Sequence, residues 1–333
     1  VNEQKSIKEP EILMNFKGMA FSKDYAEDRG HPYSLEDLIS SKRVTPASVG
    51  ACMTCKTPYV KDVFKEKGWD YANLPLSEVV KGAGHPVSCA NCHDPATMKL
   101  TVVNPAFIEA MQRKGIDVHK ASRKEMRSYV CGQCHSEYYF EPKTNRVVFP
   151  WDKGYTPEQM YAYYEEKPAG FEKDWEHPDS QAKMLKAQHP DFETWSGGVH
   201  GKSGVSCADC HMPYQRHNGQ KYSSHHVTSP MKNIEGSCKT CHTQSTDWLL
   251  ERVKTEQNNV FELQHTAGLA VSRAHEVIGK ASAVATADKA GLDKARELVR
   301  KAQWFWDIVA AENGMGFHNP DQVMNTLGRS IDM

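Results

Sequence analysis

The amino-acid sequence predicts a mainly α-helical fold that ends in two long antiparallel helices. Apolar residues recur at steps of three and four from Leu249 to Ile278, which is the spacing of one face of an α-helix. A second pattern of this kind runs from about Asp288 to Asn313 and stops at the sequence NGMG. Alternation typical of strands is hard to find anywhere in the chain.

The elements can be placed coarsely along the chain. Ser245, Thr246 or Asp247 is able to cap the first long helix, and the connection to the second is expected near Ala285–Ala290. Upstream, short helices are expected at 104–114 and 156–165. They are separated by stretches rich in Gly, Pro and Ser, such as 81–88 and 196–204.

The composition excludes some classes of protein. Among 333 residues, 41 basic and 42 acidic side chains leave a net charge of -1, so a nucleic-acid partner is not expected. The chain contains no run of about 18 apolar residues, so no membrane span is predicted. No charged and then apolar leader is present, so a signal peptide is expected to have been removed or never to have existed.

The chain is polar for its size. Only 39% of its residues are hydrophobic and the mean hydropathy is -0.65, yet 7 Trp, 13 Tyr and 11 Phe argue against disorder. Something other than side chains is therefore expected to fill part of the interior.

The ten cysteines form five CxxC pairs, and none is left over. A histidine follows the second cysteine in four of them. The pairs are Cys52/Cys55, Cys89/Cys92 with His93, Cys131/Cys134 with His135, Cys207/Cys210 with His211, and Cys238/Cys241 with His242.

The CxxCH pattern is the attachment signature of a c-type haem, in which two thioethers hold the porphyrin and the histidine reaches the iron. A lone CxxC is more often half of a zinc site or a redox disulfide. Two four-cysteine zinc sites would leave one pair unused and give the four histidines no role. The sequence therefore predicts a multihaem cytochrome c fold whose porphyrins organise the core.

Lys56 stands where the other four motifs carry histidine. A neutral lysine amine is able to bind iron, and both burial and the metal charge favour loss of its proton. One different site among five suggests four electron-transfer haems and one catalyst. The alternative is that Lys56 is a drifted ligand on a fifth electron-transfer haem.

Twelve of the 16 histidines lie outside the motifs, which is more than four distal iron ligands require. Several of them need no special role. Six of them are compatible with ordinary surface positions, namely His85, His119, His177, His217, His265 and His275.

One CxxCK followed by four CxxCH motifs resembles the pentahaem, ammonium-forming cytochrome c nitrite reductases. The resemblance extends over nearly the whole chain. It is carried by FSKDYAEDRGHPYSLEDL (21–38), CHDPATMKL (92–100), CGQCHSEYYF (131–140), KAQHPDFETWSGGVHGKSGVSCADCHMP (186–213) and AQWFWD (302–307).

The resemblance implies distal ligands for four haems. His31 would serve the third haem, His200 the fifth and His318 the fourth. His225 would serve the second haem, with His226 as the alternative if the loop is shifted.

The resemblance also implies a substrate pocket over the Lys56 haem. Arg43, Tyr138 and His189 match its arginine, tyrosine and histidine, and Arg29 is a substitute for Arg43. Arginine and histidine are able to donate hydrogen bonds to the oxygens of nitrite and to offset the charge that develops as N–O bonds break.

A calcium ion beside the pocket is implied as well. Its ligands would be the side chains of Glu137 and Gln188 and the carbonyl oxygens of Tyr138 and Lys186, all hard oxygen donors of the kind calcium prefers.

The expected protein is thus a single pentahaem catalytic domain over 1–333, with a haem-binding core at 1–243 and a long-helix region at 244–333 that dimerises. The resemblance implies six-electron reduction of nitrite to ammonium in the periplasm or another extracytoplasmic compartment. Its electron donor would be a membrane-associated multihaem quinol dehydrogenase or a soluble multihaem cytochrome. The alternative is a pentahaem carrier with no enzymatic activity, whose five irons are all six-coordinate.

Overall fold

The computed structural model describes residues 3–27 and 29–333, so residues 1, 2 and 28 of the predicted domain lie outside the described part. The fold is mainly α-helical, as predicted. The α-helices of the described residues are α1 Glu11–Asn15, α2 Ser34–Ser40, α3 Val60–Lys67, α4 Leu76–Lys81, α5 Cys89–Cys92, α6 Pro105–Arg113, α7 Arg123–Gly132, α8 Pro157–Tyr164, α9 Asp191–Gly197, α10 Val199–Lys202, α11 Cys207–His211, α12 Thr246–Ser282, α13 Lys289–Ala310 and α14 Pro320–Asp332.

Three short antiparallel hairpins add strands that the sequence patterns did not predict. They pair β1 Tyr139–Phe140 with β2 Val147–Val148, β3 Trp175–Glu176 with β4 Lys183–Met184, and β5 Tyr214–His217 with β6 Gln220–Ser223. Two-residue strands are too short to carry a recognisable alternation. The third hairpin did carry a signal, since Asn218 and Gly219 both have positive φ, as the favoured two-residue turn requires.

The two long C-terminal helices begin at the predicted caps. The Ser245 hydroxyl accepts a hydrogen bond from the amide of Trp248 at the start of α12, at 3.2 Å. The Asp288 carboxylate does the same for Ala290 at the start of α13, at 3.1 Å. These side chains satisfy amides that the first helical turn leaves unpaired.

Cross-contacts show that α12 and α13 run antiparallel. Arg296 donates to the Ser282 hydroxyl at 3.1 Å near the turn, and further along His275 Nε2 lies 2.7 Å from Gln303 Oε1. At the far end the Gln257 amide donates to the carbonyl oxygen of Gly314 at 3.1 Å. Positions that ascend along α12 therefore meet positions that descend along α13.

A third C-terminal helix, α14, packs against both long helices and was not predicted. Its start carries a recognisable signal, because Asn319 caps it and Pro320 occupies the first helical position. The main hydrophobic core joins these helices to the middle of the chain. Trp151, Trp304 and Trp306 are its largest fully buried side chains.

Two histidines correct the expectation of ordinary surface residues. His177 and His275 are fully buried, and their rings stack at a centroid distance of 3.7 Å with an angle of 10° between planes. Burial, together with the neighbouring His177, lowers the pKa of His275 to about 4. The pair is packed in the interior, where His275 of α12 meets the β3–β4 hairpin.

Buried apolar side chains are sparse from residue 196 to 245. The apolar side chains buried in this stretch are Ala208, Pro213 and Ile234. This stretch nevertheless follows a defined path from α10 through the third hairpin to the start of α12. Its side chains alone do not account for that order, because burial of apolar surface is the main term that stabilises a fold.

Candidate functional site

Short helical turns carry the cysteine pairs. Cys52 and Cys55 lie on the 3₁₀ helix Gly50–Cys55, which Lys56 follows directly. The pairs at Cys89 and Cys207 begin α5 and α11, and both helices start with a capping box. Residues three apart on a helix share one face, so such a turn presents both sulfurs of a pair to the same side.

The fifth pair, Cys238 and Cys241, is less covered by the rest of the chain than most of the others. Cys238 begins the 3₁₀ helix Cys238–Thr240 and is half-buried, whereas Cys241 lies one residue beyond the end of that helix and is exposed. The physical reason is its place in the fold. The segment Thr240–Gln244, just before α12, is exposed throughout, so no packed element covers the Cys241 sulfur.

Cys89 is exposed as well, while its partner Cys92 is half-buried. A porphyrin joined to Cys241 or to Cys89 would therefore have part of its edge at the protein surface. The second and fifth sites lie at the periphery of the described structure, and the other three lie deeper. The role of the two cysteines as attachment residues stays a prediction.

None of the ten cysteines forms a disulfide. The Cys55 sulfur lies beside that of Cys134, and the Cys131 sulfur lies beside that of Cys207. The first, third and fourth attachment sites are therefore adjacent in space, in that order.

Each motif histidine faces one of the distal histidines expected from the sequence. The ring centroids lie 6.2 Å apart for His31 and His135, 6.1 Å for His93 and His225, 6.2 Å for His200 and His242, and 6.2 Å for His211 and His318.

This spacing fits an iron between two imidazoles. A metal about 2.0 Å from one nitrogen of each ring places the two ring centroids roughly 6.3 Å apart. Contacting rings pack more closely, as His177 and His275 do at 3.7 Å. Because all four pairs share the wider spacing beside a CxxC turn, these residues fit four bis-histidine c-type haems.

The surroundings of Lys56 differ from those of the four pairs. Burial raises the pKa of the Cys52 thiol, while the positive charges of Lys56 and Arg43 oppose that shift. Burial also raises the pKa of Tyr138 well above its usual value; the thiols of Cys55 and Cys52 add to this, and Arg43 acts against it. Arg43 and Tyr138 therefore lie close to the cysteine pair that Lys56 follows.

The two arginines considered for the pocket have different partners. The Arg43 Nε donates to the Ser41 hydroxyl at 3.2 Å, and its guanidinium lies 4.3 Å above the Phe21 ring. Arg29 is paired with carboxylates, the nearest being Asp37 Oδ1 at 2.6 Å. The charge of Arg43 acts on the Lys56 site, which favours Arg43 over Arg29 as the pocket residue.

His189 sits half-buried in the segment that leads into α9. It directly follows Gln188, and its carbonyl oxygen accepts a hydrogen bond from the amide of Asp191 at 2.7 Å. Asp191 in turn binds the ring of His135 at 3.1 Å. The backbone of His189 is thus tied to the third attachment site.

The expected calcium ligands lie together. The backbone amide of Gln188 donates to Glu137 Oε2 at 2.5 Å, and the Nε2 atom of the Gln188 side chain lies 3.5 Å from the carbonyl oxygen of Lys186. Tyr164 donates its hydroxyl to Glu137 Oε1 at 2.9 Å. Tyr138 follows Glu137 in the chain, so its carbonyl belongs to the same segment.

The electrostatics of this cluster suit a cation. Burial raises the pKa of Glu137 well above its usual value, and the carboxylate of Glu193 adds to the shift. Glu193 is itself buried, and its Oε2 has no hydrogen-bond partner among the described residues. A hard cation beside Glu137 would offset this negative charge, so the donor set fits calcium.

Lys186 reaches the cluster through its backbone, because its side chain is engaged elsewhere. The fully buried Nζ lies 2.8 Å from Asp307 Oδ1 on α13 and 4.8 Å from the centre of the Phe16 ring. This ion pair connects residues 186–188, which carry two of the expected calcium ligands, to the long-helix region. Breaking one partner of such a pair leaves an uncompensated buried charge.

Sequence reasoning missed a buried amide network between three attachment sites. Gln133 Oε1 accepts from the amides of Val103 and Asn104 at 2.9 and 3.1 Å, and its Nε2 donates to the carbonyl of Asn91 at 2.8 Å. Asn104 also donates to Cys55 Sγ at 3.4 Å. Gln133 and Asn91 occupy the variable positions of CxxCH, which carry no signal of their own.

Two carboxylates that hold motif or distal histidines were also missed. Asp191 binds His135 Nδ1, and Glu312 binds His318 Nδ1. Asp191 is 56 residues from His135, and the six-residue step from Glu312 to His318 does not match the period of a helix, so no spacing rule indicated either contact.

None of the helices in the described part of the chain combines the length and apolar character that a membrane crossing requires. Among the described residues, one cluster of three or more histidine, cysteine or acidic groups has metal-binding spacing, namely Asp191, Glu312 and His318. Its ring nitrogen belongs to a histidine that already faces His211, so it is part of the haem site described above.

Comparison with known proteins agrees with this geometry. The family model described as cytochrome c552 matches residues 1–333. A cytochrome c-552 of Parabacteroides distasonis is 41% identical over 331 residues, covering 97% of this chain and 66% of that protein. The cytochrome c nitrite reductase subunit NrfA of Nitratidesulfovibrio vulgaris is 41% identical over 351 residues, with coverage of 97% and 66%.

A solved structure agrees closely as well. The cytochrome c nitrite reductase of Desulfovibrio desulfuricans, whose catalytic subunit is described as having two calcium sites, superposes with a TM-score of 0.92 at 38% identity. The alignment covers 97% of this chain and 73% of that one. The chain spans about two thirds of the length of the curated relatives it matches.

The family model covers the chain from end to end, and the relatives share its fold and about two fifths of its residues. The resemblance read from the cysteine motifs is thereby confirmed. The chain belongs to the cytochrome c552 family, which includes proteins described as cytochrome c nitrite reductases.

Proposed function

We propose that this chain reduces nitrite to ammonium, a six-electron reaction, at the site that follows Cys52 and Cys55. The observation that carries the proposal is an asymmetry. Four CxxC turns present a histidine that faces a second histidine at 6.1–6.2 Å. The remaining turn, Cys52/Cys55, is followed by Lys56, with Arg43 and Tyr138 nearby. Relatives described as nitrite reductases support the same activity.

The cofactors proposed are five covalently attached c-type haems and one calcium ion. A haem held by Cys52, Cys55 and Lys56 supplies, when bound, an iron able to coordinate nitrite and to pass electrons to it. Four more haems are assigned to the histidine pairs. The calcium ion is assigned to Glu137, Gln188 and the carbonyls of Tyr138 and Lys186.

The assignment of a haem to Cys238 and Cys241 rests on its histidines, because the exposed Cys241 sulfur by itself would suit a surface thiol equally well. His242 directly follows Cys241 and faces His200 at the same 6.2 Å as the better covered pairs. This haem is proposed to have an exposed edge, which would be accessible to an electron donor that docks from outside.

The protein's own groups bind the substrate and hold protons. The Arg43 guanidinium has several N–H donors for the nitrite oxygens, and its charge offsets the negative charge that develops on them. Burial keeps Tyr138 protonated, so its hydroxyl remains a hydrogen-bond donor. His189 is the proposed proton donor, because imidazole exchanges protons near neutral pH.

The two segments that carry the proposed calcium ligands would hold the pocket in place. Tyr138 and His189 each lie next to a proposed calcium ligand in the chain, namely Glu137 and Gln188. An ion that joins these two segments restricts the motion of both pocket side chains. The Lys186–Asp307 ion pair anchors the same segments to α13.

The organisation proposed is one catalytic domain, with the haem core at 1–243 and the long-helix region at 244–333. Exposed apolar residues on α12, such as Leu269 at 49% and Val277 at 53%, support a homodimer through this region. The proposed electron donor is a membrane-associated multihaem quinol dehydrogenase or a soluble multihaem cytochrome. A periplasmic or other extracytoplasmic location is proposed because c-type haem is attached there.

Electron paramagnetic resonance of the oxidised protein tests the asymmetry directly. We expect one high-spin haem among low-spin ones, because only the Lys56 site would keep an open face for the substrate. Five low-spin haems would instead support a carrier without enzymatic activity.

The pocket assignment is tested by Arg43→Ala, for which we expect turnover to fall by about 10²–10³-fold, as for a single oxyanion donor. Arg123→Ala, at an exposed position on α7, is the matched control and should leave turnover unchanged. Unchanged turnover in Arg43→Ala would remove Arg43 from the pocket, and a loss in Arg29→Ala would then assign its role to Arg29.

A further inference from the structure

The axial histidines differ in what binds their Nδ1 atoms. Three of them face backbone carbonyl oxygens: His93 faces Met98 at 2.8 Å, His211 faces Thr228 at 3.1 Å, and His225 faces Ser223 at 3.0 Å. Two others face carboxylates, since His135 binds Asp191 at 3.1 Å and His318 binds Glu312.

Both carboxylates are built into the fold. Asp191 is 8% exposed and accepts two further hydrogen bonds from Asn313, from its backbone amide at 2.8 Å and its side chain at 2.7 Å. Glu312 is 2% exposed and accepts one from the amide of Gly316 at 2.8 Å. An oxygen that accepts several N–H donors is typical of an ionised carboxylate.

The two carboxylates form one unit between two haem sites. Glu312 and Asn313 are adjacent in the chain, and donor atoms of Asp191, Glu312 and His318 all lie within 4.8 Å of one another. Asp191 binds the ring of His135, which is paired with His31. Glu312 binds the ring of His318, which is paired with His211.

A carboxylate on Nδ1 makes an imidazole a stronger electron donor than a carbonyl does. Stronger donation and a nearby negative charge both favour ferric over ferrous iron, which lowers the reduction potential. The site of His93 and His225 serves as an internal reference, because both of its Nδ1 atoms face carbonyl oxygens.

We propose that Asp191 and Glu312 set the haems of His135 and His318 at lower reduction potentials than the haem of His93. Each step concerned is a one-electron reduction of ferric to ferrous iron by the electron donor, with no change in atoms. Because the cysteine sulfurs of the Lys56, His135 and His211 sites are adjacent in that order, the low-potential pair adjoins the proposed catalytic site. The inference rests on the haem assignment and does not depend on nitrite as the substrate.

The test uses the full haem-loaded chain with Asp191→Asn and Glu312→Gln, singly and together. Spectroelectrochemical titration followed by paramagnetic resonance gives the potential of each low-spin haem. Each single variant should shift the reduction equilibrium of one haem at least about tenfold toward the ferrous state, which is about 59 mV for one electron. The double variant should shift two haems, and the haem of His93 should stay unchanged.

Asp152→Asn, which removes an exposed carboxylate paired with Arg113, is the matched control and should shift no haem. The proposal is overturned if neither single variant shifts a haem, or if all haems shift together. The wild-type protein provides a test that needs no variant. Its low-spin haems should titrate in two groups of reduction potential according to axial donation, and a single group would also overturn the proposal.

Discussion

The stretch from residue 196 to 245 and the helices that follow it obtain their order in different ways. In α12, α13 and α14, large apolar side chains such as Trp304, Phe305 and Trp306 are fully buried against neighbouring elements. The preceding stretch buries only Ala208, Pro213 and Ile234 among its apolar side chains. It nevertheless holds two cysteine pairs, one complete histidine pair and one member of each of two further histidine pairs. The first region is packed by its own residues, and the second is shaped to pack around a cofactor.

The difference teaches where a sequence carries its structural information. Where side chains form the core, the information lies in the period of apolar residues. Where a porphyrin fills the interior, it lies in the position of a few ligands, and the residues between them are free to be polar. This explains the low mean hydropathy of a chain that has an ordered interior.

The largest effect is expected from removing one cofactor attachment. Cys207→Ala with Cys210→Ala should lose the haem of His211, and the 196–245 stretch should become sensitive to protease because little else is buried there. The helical signal of α12 and α13 should remain. Haem content, limited proteolysis with mass spectrometry and circular dichroism measure the three quantities. Undiminished protease resistance of this stretch would show that side chains alone order it.

In the side-chain-packed region, Trp306→Ala should lower the free energy of unfolding by about 3–5 kcal/mol, because it leaves a cavity in a fully buried position. Haem content should not change. Denaturant titration measures the effect. Leu298→Ala, on the same helix and 39% exposed, is the control and should change stability by about 0.5 kcal/mol or less. Equal effects of the two variants would refute the packing argument.

The buried histidine pair should make the same region sensitive to acid. Because burial holds the folded-state pKa of His275 at about 4, below its ordinary value of 6.5, the unfolded chain binds the proton more readily. Stability is therefore expected to fall as the pH drops from 6.5 toward 4, by on the order of 3 kcal/mol.

Urea midpoints at pH 7 and pH 5 measure this slope. His275→Gln should flatten it, whereas His119→Gln, at an exposed position, should not. A slope that is the same in all three proteins would assign the acid sensitivity to other groups.

The smallest effect is expected from the amide network of the haem region. Gln133→Leu keeps the size of the side chain but leaves the amides of Val103 and Asn104 without their acceptor, which should cost about 1–3 kcal/mol. Urea titration measures it, with Gln220→Ala in the exposed third hairpin as the control. A neutral effect of Gln133→Leu would show that water replaces the amide.

The sequence-based predictions follow the same division. The starts of α12 and α13 could be predicted at Ser245 and Asp288 because caps and apolar periods are local signals. The histidine pairing expected from the resemblance agrees with the geometry, since a distal ligand needs only one residue in one place. That agreement supports the site assignments, which remain proposals until the variants are measured.

What could not be predicted depends on contacts between distant segments. His177 and His275 look like surface residues in sequence, and only the packing of α12 over the preceding chain buries them. Asp191 is related to His135 by the fold alone. The β5–β6 hairpin is the exception, because its Asn218–Gly219 turn was a local signal that was overlooked.

The cysteine motifs show the same limit in the opposite direction. Five nearly identical motifs have different surroundings, because Cys241 and Cys89 are exposed and the other eight cysteines are half-buried. A motif specifies which residues bind a haem, but it does not specify which other segments cover them.

The histidine pairs also cross-link the chain. If a haem is attached at Cys207 and Cys210 as proposed, a bond from its iron to His318 would close a loop that contains all of α12 and α13. On the chain-entropy model, closing a loop of about 100 residues stabilises the folded state by on the order of 4–5 kcal/mol. Because α12 and α13 lie between Cys210 and His318, this haem would gain its second histidine only after both helices have been made.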